Sequence, residues 1–241
     1  MRRTLLVAGV ASLVLAAGAA AFLAREEAPP LLAERALADR PELLLLTALP
    51  LVFGEQFSLD GGGSAALAAL VRRYTIRPIA LADATSLTGH RLLLMAHPRA
   101  QTAEALVDLD AWVRQGGRVL LLADPALDWP SERPLGDALR PPPGFADTGL
   151  LGHWGLTLAA PDARGPVIAT LDGRTLTLSS PGRLTAAACK TLAGDVVARC
   201  SIERGRVTII ADADLLDPGL SGAGIGSNLD ALAAELERFE R

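Results

Sequence analysis

Four short segments of the chain are apolar at almost every position, and a weaker fifth segment resembles them. A strand with one wet face alternates apolar and polar residues, whereas continuously apolar strands are typical of parallel sheets covered on both faces. Segments with helical patterns separate these strands, which indicates a three-layer α/β fold. We expect right-handed crossovers and the flavodoxin-like strand order 2-1-3-4-5. The predicted strands are, in chain order, 42–53, 75–81, 91–96, 118–123 and 206–211.

The best helical pattern covers 102–117, between the third and fourth strands. Thr102 is a suitable N-cap, one stripe of aliphatic residues follows it, and Gly116 and Gly117 are predicted to end the helix. Alternating residues and Asp-Gly or Gly-Asp turns over about 155–204 predict a small antiparallel β insertion before the last core strand. A closing helix is predicted to begin near Ser227.

An uncharged, apolar stretch occupies residues 4–24, after Arg2 and Arg3. Its length suits a single transmembrane helix, and the two arginines predict a cytoplasmic N-terminus. The competing interpretation is a cleaved signal peptide, because three alanines at 19–21 fit a cleavage site. Both interpretations place the rest of the chain outside the cytoplasm. The predicted organisation is therefore an anchor at 1–25, a linker at 26–41, and a periplasmic or extracytoplasmic domain at 42–241.

The charge of the chain argues against nucleic-acid binding. Lys and Arg number 23 against 27 Asp and Glu, giving a formal net charge of −4, and no basic stretch stands out. No phosphate-binding loop is present either, because such a loop needs Gly-Lys-Ser/Thr and Lys190 is the only lysine. We predict no cofactor.

Cys189 and Cys200 are the only two cysteines. A hairpin turn at 194–195 places them directly opposite each other on paired strands, at a separation that suits a disulfide. A disulfide is favoured in an exported protein. Two buried thiols are the alternative, and zinc binding is the weakest because further ligands are lacking.

Several motifs together resemble a family of exported auxiliary domains of gliding-motility-type ABC transporters and their bacterial relatives. The motifs are "LLLMAHP" at 92–98, "DAWVRQGGRVLLLADPALDWP" at 110–130, and "GRVTIIADADLLDPGL" at 205–220 with "GIGSNLDALAAEL" after it. The resemblance covers residues 42–125 and 205–240. It implies a class I glutamine amidotransferase-like fold that has lost its catalytic triad, a place at the outer face of the cytoplasmic membrane, and ABC permease subunits as partners.

The resemblance also implies that amidotransferase chemistry is absent. Active relatives place a nucleophilic cysteine after the strand that matches 118–123, and here Asp124 and Pro125 stand at that position. Neither Cys189 nor Cys200 matches it, and no His-x-Glu pair follows to complete a triad.

Candidate ligand-binding residues follow the ends of the predicted strands. Ligands of open α/β sheets bind at this edge. The acids there could hold a divalent cation through oxygen, although Asp is also a common turn and N-cap residue. Glycine loops at 60–64 and 222–227 precede helices, and His97 follows the third strand. The candidates are Gly61, Gly62, Gly63, His97, Asp124, Asp212 and Asp214, with Asp128 and Asp217 nearby in sequence.

Two functions are compatible with these features. The first is a non-enzymatic, membrane-anchored extracytoplasmic accessory domain associated with an ABC-type transport complex. The second is a domain that binds a small molecule or glycan, or a divergent hydrolase, using the carboxyl-terminal edge of the sheet.

Overall fold

A computed structural model describes residues 33–54 and 63–241, which form a mixed sheet with helices on both faces. Five parallel strands make up the centre of the sheet, and their order along it is second, first, third, fourth, fifth, as the sequence predicts. These strands are β1 Glu42–Thr47, β2 Thr75–Pro78, β3 Leu92–Ala96, β4 Arg118–Leu122 and β11 Gly205–Ile210.

The first strand is shorter than predicted. It ends at Thr47, whose hydroxyl accepts a hydrogen bond from the Leu49 amide and donates one to the Ala96 carbonyl oxygen. Those two bonds turn the chain away from the sheet, and Leu49 and Leu51 are buried after the turn. The apolar run therefore reflects burial of a loop as well as of a strand.

Helices cover both faces of the sheet and enclose a core dominated by leucine and valine. The first and last helices contact each other, whereas the second and third pack together. Thr102 caps the third helix through the Ala105 amide as predicted, and the closing helix starts two residues before its predicted position, at Ile225. The helices are α1 Ala65–Val71, α2 Ala84–Leu87, α3 Ala103–Arg114, α4 Leu150–His153, α5 Pro218–Ser221 and α6 Ile225–Glu240.

The predicted antiparallel insertion is present, but part of it belongs to the main sheet. β10 pairs antiparallel with β11, and β9 pairs with β10, so the central sheet has seven strands. Two small two-stranded sheets, β5 with β8 and β6 with β7, complete the insertion. Its strands are β5 Leu156–Ala159, β6 Pro166–Leu171, β7 Arg174–Ser179, β8 Arg183–Ala186, β9 Lys190–Leu192 and β10 Val197–Ile202.

The predicted membrane segment at 4–24 lies outside the described residues. Among the helices that the structure describes, none has both the length and the hydropathy needed to cross a bilayer. Residues 33–41, which the sequence assigns to the linker, bond to the domain. The Arg40 guanidinium donates to the Val71 carbonyl oxygen, and the Arg35 guanidinium donates to the Glu240 carboxylate.

The Cys189 and Cys200 side chains form a disulfide across the β9–β10 hairpin. Leu192 pairs with Val197 and Lys190 with Arg199, which is the register that the sequence predicts. The two Cα atoms are 4.5 Å apart, within the range for directly opposed residues of an antiparallel pair.

Reduction of this disulfide is expected to lower the free energy of unfolding by about 2–3 kcal/mol, because the short loop it closes gains freedom in the unfolded chain. Urea unfolding with and without reductant measures the change, and intact mass with and without reductant counts the thiols. The Cys189→Ser/Cys200→Ser variant is the control, because reductant should leave its stability unchanged. Two free thiols in the protein isolated without reductant would contradict the pairing.

Candidate functional site

The carboxyl-terminal ends of β4 and β11 are adjacent, and each is followed by a buried aspartate. Asp124 follows β4 and has no exposed surface. One of its carboxylate oxygens accepts from the Ala126 amide at 2.8 Å, and the other accepts from the Ala213 amide at 2.9 Å. Asp124 thus closes its own turn and ties the β4 loop to the loop after β11.

Asp212 makes a second tie of the same kind. Its side chain is completely buried. One oxygen accepts from the Leu215 amide at 2.8 Å, and the other accepts from the Ser179 amide at 2.7 Å, at the end of β7. The loop after β11 is therefore joined to the insertion.

Asp214 and Asp128 continue this network. One Asp214 oxygen accepts from the Asp128 amide at 2.7 Å, whereas its other oxygen is buried and has no hydrogen-bond partner in the described part of the chain. The Asp128 carboxylate accepts from the Ser180 hydroxyl at 2.6 Å and from the Arg164 guanidinium at 2.7 Å. We call Asp124, Asp128, Asp212 and Asp214 the aspartate knot.

Burial raises the pKa values of three members of the aspartate knot. Desolvation raises the pKa of Asp124 and raises that of Asp212 well above its ordinary range, and the charge of Asp124 adds to the effect on Asp212. Burial also raises the pKa of Asp214 to about 7, and the charge of Asp124 contributes in the same direction. The backbone hydrogen bonds oppose these shifts.

The aspartate knot has the geometry of a structural support. Most of its carboxylate oxygens are occupied by backbone amides of the surrounding loops. Within the described ranges, 33–54 and 63–241, no group of three or more acidic, histidine or cysteine side chains is arranged to hold a metal ion. Asp217 lies apart as the N-cap of α5 before Pro218, the turn-and-cap role that the sequence offered as the alternative to cation binding.

His97 lies at the same edge of the sheet but is directed into the protein. Its side chain is fully buried, and its Nε2 atom lies 2.9 Å from the Pro142 carbonyl oxygen. Since a carbonyl oxygen only accepts, Nε2 carries a proton, and Nδ1 is buried with no hydrogen-bond partner among the described residues. Desolvation lowers the His97 pKa and so favours the neutral imidazole. The bond to Pro142 fastens segment 125–149 over the sheet.

Each predicted glycine loop contains a glycine that packs closely against a neighbouring side chain. Gly61 and Gly62 lie outside the described residues. At Gly63 a Cβ atom would lie 2.5 Å from the Leu67 side chain, so close packing explains this glycine. In the second loop, a Cβ atom at Gly224 would lie 2.1 Å from the Thr177 hydroxyl oxygen. That glycine lets the start of α6 pack against β7.

Asn228 has a structural role that was not predicted from the sequence. This side chain has no exposed surface. Its amide nitrogen donates to the carbonyl oxygens of Thr177 and Leu215 and to the Ser221 hydroxyl, while its oxygen accepts from the Thr177 amide. The sequence does carry a signal for this role, because Asn228 is a polar residue on the apolar face of a predicted helix. When such a residue is buried, its polar atoms need hydrogen-bond partners.

An open cleft of ≈ 340 Å³ lies beyond the ends of β1 and β2. Arg99, which follows β3, also lines the cleft, so the cleft adjoins the position between β1 and β3. The direction in which the chain crosses the sheet reverses there, and open α/β sheets bind ligands at such positions. Phe53 and Leu139 line it and are largely exposed, at 84% and 65%. Arg99 and Arg133 supply its positive charge. The aspartate knot and His97 do not line this cleft.

Comparisons with known proteins show a fold and no family. No protein-family model and no curated protein matches the sequence. Three similar solved structures show the fold alone, because identity is 15% or lower. The N-terminal domain of mmIFT52 has a TM-score of 0.54 and 12% identity, over 80% of this chain and 96% of that one. The Salmonella typhimurium cytoplasmic protein STM3548 has a TM-score of 0.54 and 10% identity, over 82% and 98%.

The third similar structure is the exo-β-1,4-mannosidase Op5Man5 from Opitutaceae bacterium strain TAV5, with a TM-score of 0.51 and 15% identity. The match covers 82% of this chain but only 36% of the mannosidase. The chain therefore spans about a third of that enzyme.

Proposed function

We propose that this chain is a non-enzymatic, membrane-anchored accessory domain on the extracytoplasmic side, associated with an ABC-type transport complex. The observation that carries the non-enzymatic part is the occupation of the aspartate knot. Asp124 and Asp212 each use both carboxylate oxygens to accept backbone amides and have no exposed surface. A general acid or base must reach its substrate, and these carboxylates contact backbone amides of buried loops instead.

His97 supports the same conclusion. Its protonated nitrogen is bonded to the Pro142 carbonyl oxygen, and its other nitrogen has no contact with solvent. A catalytic histidine needs one nitrogen free for the reacting group and a pKa near the working pH, and burial moves the His97 pKa down.

The anchor and the transporter association rest on sequence. The apolar stretch at 4–24 supports a membrane anchor, and the resemblance of 42–125 and 205–240 to exported ABC-transporter auxiliary domains supports the partner. Purification of the tagged full chain from native membranes in mild detergent tests both. We expect an ABC permease and its ATPase to co-purify with the chain in a constant proportion to it. A chain released from membranes by alkaline carbonate and recovered without transporter subunits would refute it.

A ligand-binding domain is the second candidate function, and the cleft beyond β1 and β2 favours it. The cleft is open, mainly apolar, and lies at the topological switch point of the sheet. The similar mannosidase motivates mannose-containing oligosaccharides as the first ligands to titrate.

A cleft-filling variant gives this candidate a clear test. Ile79→Trp places an indole at a residue that lines the cleft, and it is expected to abolish any oligosaccharide-induced thermal shift. Ile168→Trp is the matched control, because Ile168 is 66% exposed on β6 and does not line the cleft. No shift with the unmodified chain, or an equal shift with both variants, would exclude the cleft as the ligand site.

A further inference from the structure

An arginine lies close to the start of each of the five parallel strands. Parallel strands begin at one edge of the sheet, so these side chains share the amino-terminal edge, opposite the aspartate knot. Two further arginines, Arg72 and Arg204, lie in the turns that lead into β2 and β11. The arginines at the strand starts are Arg40, Arg73, Arg91, Arg118 and Arg206.

Four of these seven guanidinium groups make no hydrogen bond or ion pair with any described residue: Arg72, Arg91, Arg118 and Arg204. We call these four residues the arginine edge. Nearby glutamates form ion pairs with arginines outside this edge: Glu42 pairs with Arg77, Glu203 with Arg114, and Glu240 with Arg35. Asp39 is an exposed acid in the same region and offsets one charge at most. A net positive charge therefore remains at this edge of an acidic protein.

Like charges are crowded at the centre of the arginine edge. Arg118 and Arg206 are register partners on adjacent strands, and the Arg118 amide bonds to the Arg91 carbonyl oxygen. Partial burial lowers the Arg118 pKa, the charges of Arg206 and Arg91 lower it further, and the charge of Glu240 acts in the opposite direction. The protein places these charges side by side at a cost to its own stability, and an anion would relieve that repulsion.

The chain reaches the domain at this same edge. The Arg73 guanidinium donates to the carbonyl oxygen of Ala33, the first described residue. Eight residues, 25–32, separate Ala33 from the predicted membrane segment. The linker that follows the predicted membrane segment therefore enters the domain beside the arginine edge, and its eight residues span at most about 30 Å.

We propose that the arginine edge binds the anionic headgroups of the phospholipid bilayer to which the chain is anchored. This inference rests on the proposed anchor. Guanidinium groups bind phosphate oxygens through paired hydrogen bonds, and basic residues close to an anionic surface strengthen membrane binding. Contact at this edge turns the cleft, which lies at the opposite edge of the sheet, away from the bilayer.

Chemical modification of arginine tests the contact on the full chain. The chain is reconstituted in nanodiscs of neutral phosphatidylcholine, or of phosphatidylcholine with phosphatidylglycerol, and treated with phenylglyoxal. Peptide mass mapping gives a rate for each arginine. In the anionic discs we expect the four edge arginines to react at about one third of their rate in the neutral discs, or more slowly. The rate should recover at 0.5 M NaCl, which screens the contact. Arg183, which is exposed in β8, should react equally in both discs.

Matched variants separate specific contact from total charge. Arg72→Gln/Arg91→Gln/Arg204→Gln removes three positive charges from the edge, and Arg174→Gln/Arg183→Gln/Lys190→Gln removes three from the insertion. Only the first variant is expected to lose the protection of Arg118 in anionic discs. The inference is overturned if the edge arginines react equally fast in neutral and anionic discs, or if Arg118 loses its protection equally in both variants.

Failure of the anchor gives a different result. If alkaline carbonate releases the full chain from the discs, the anchor is wrong. The arginine edge is then tested with the free chain and phosphatidylglycerol vesicles: flotation at low salt that the edge variant loses supports the contact, and no flotation overturns it.

Discussion

Asp124→Ala is expected to lower the free energy of unfolding by about 3 kcal/mol. The substitution leaves the buried amides of Ala126 and Ala213 without an acceptor, and each buried, unsatisfied polar group costs about 1–3 kcal/mol. Urea unfolding followed by circular dichroism measures the loss. A change below about 1 kcal/mol would show that these bonds do not support the fold.

Asp137→Ala is the matched control for that substitution. Asp137 also accepts from the amide two residues ahead, that of Leu139, but at an exposed position. Water replaces the lost acceptor there, so the expected cost is below about 1 kcal/mol. For the same reason, loss of function in Asp124→Ala does not identify a catalytic acid, because the variant is expected to be poorly folded.

Asp214→Asn is expected to change how stability depends on pH. Burial raises the pKa of Asp214 from 3.8 to about 7 in the folded state, so the folded chain binds this proton more tightly than the unfolded chain. Its stabilising contribution is complete below pH 4 and is lost as the pH rises through 7. Between pH 5 and pH 8 the Asn variant should gain on the order of 2–4 kcal/mol relative to the unmodified chain.

The comparison must be made between variants at each pH, because His97 acts in the opposite direction. Burial lowers its pKa, so its contribution is complete above the unfolded value and is lost as the pH falls through the folded one. Asp162→Asn, at a carboxylate that is 74% exposed, is measured alongside as the control substitution. Parallel profiles for Asp214→Asn would contradict the raised pKa.

The core of the fold was predictable because burial on both faces leaves a direct record in the sequence. β3, β4 and β11 are continuous apolar runs and lie where the sequence places them. The extent of β1 was not predictable, because the same apolar residues also suit a buried loop. The addition of β9 and β10 to the main sheet was not predictable either, because an alternating pattern shows that a strand has one covered face but not which sheet it joins.

The meeting of the acids was predictable from topology, but their roles were not. Asp124 and Asp212 follow strands that proved to be neighbours, so their convergence followed from the predicted order. An aspartate directly after a parallel strand can be a catalytic acid or can accept hydrogen bonds from loop amides. The sequence is the same in both cases, and only the positions of the backbone amides around the carboxylate distinguish the two roles. The repeated Ala-Asp after β4 and β11 is therefore a repeated way of fastening the loops that leave two adjacent strands.

Two edges of opposite character result from this arrangement. Acids at the carboxyl-terminal edge have pKa values raised by burial and are hydrogen-bonded within the fold, whereas the guanidinium groups of the arginine edge make no hydrogen bond or ion pair with the described residues. If the arginine edge faces the bilayer, the exposed side chains of Phe53 and Leu139 are presented to the aqueous compartment, where an accessory domain meets its partner.

Amide hydrogen exchange of the unmodified chain tests the aspartate knot most directly. Five backbone amides are assigned to its carboxylates, and we expect them to exchange only through global unfolding, as slowly as the centre of β4. These amides belong to Ala126, Asp128, Ser179, Ala213 and Leu215. Rapid exchange at these positions, with β4 still protected, would show carboxylates open to water and free for a substrate, and would contradict a structural role for the aspartate knot.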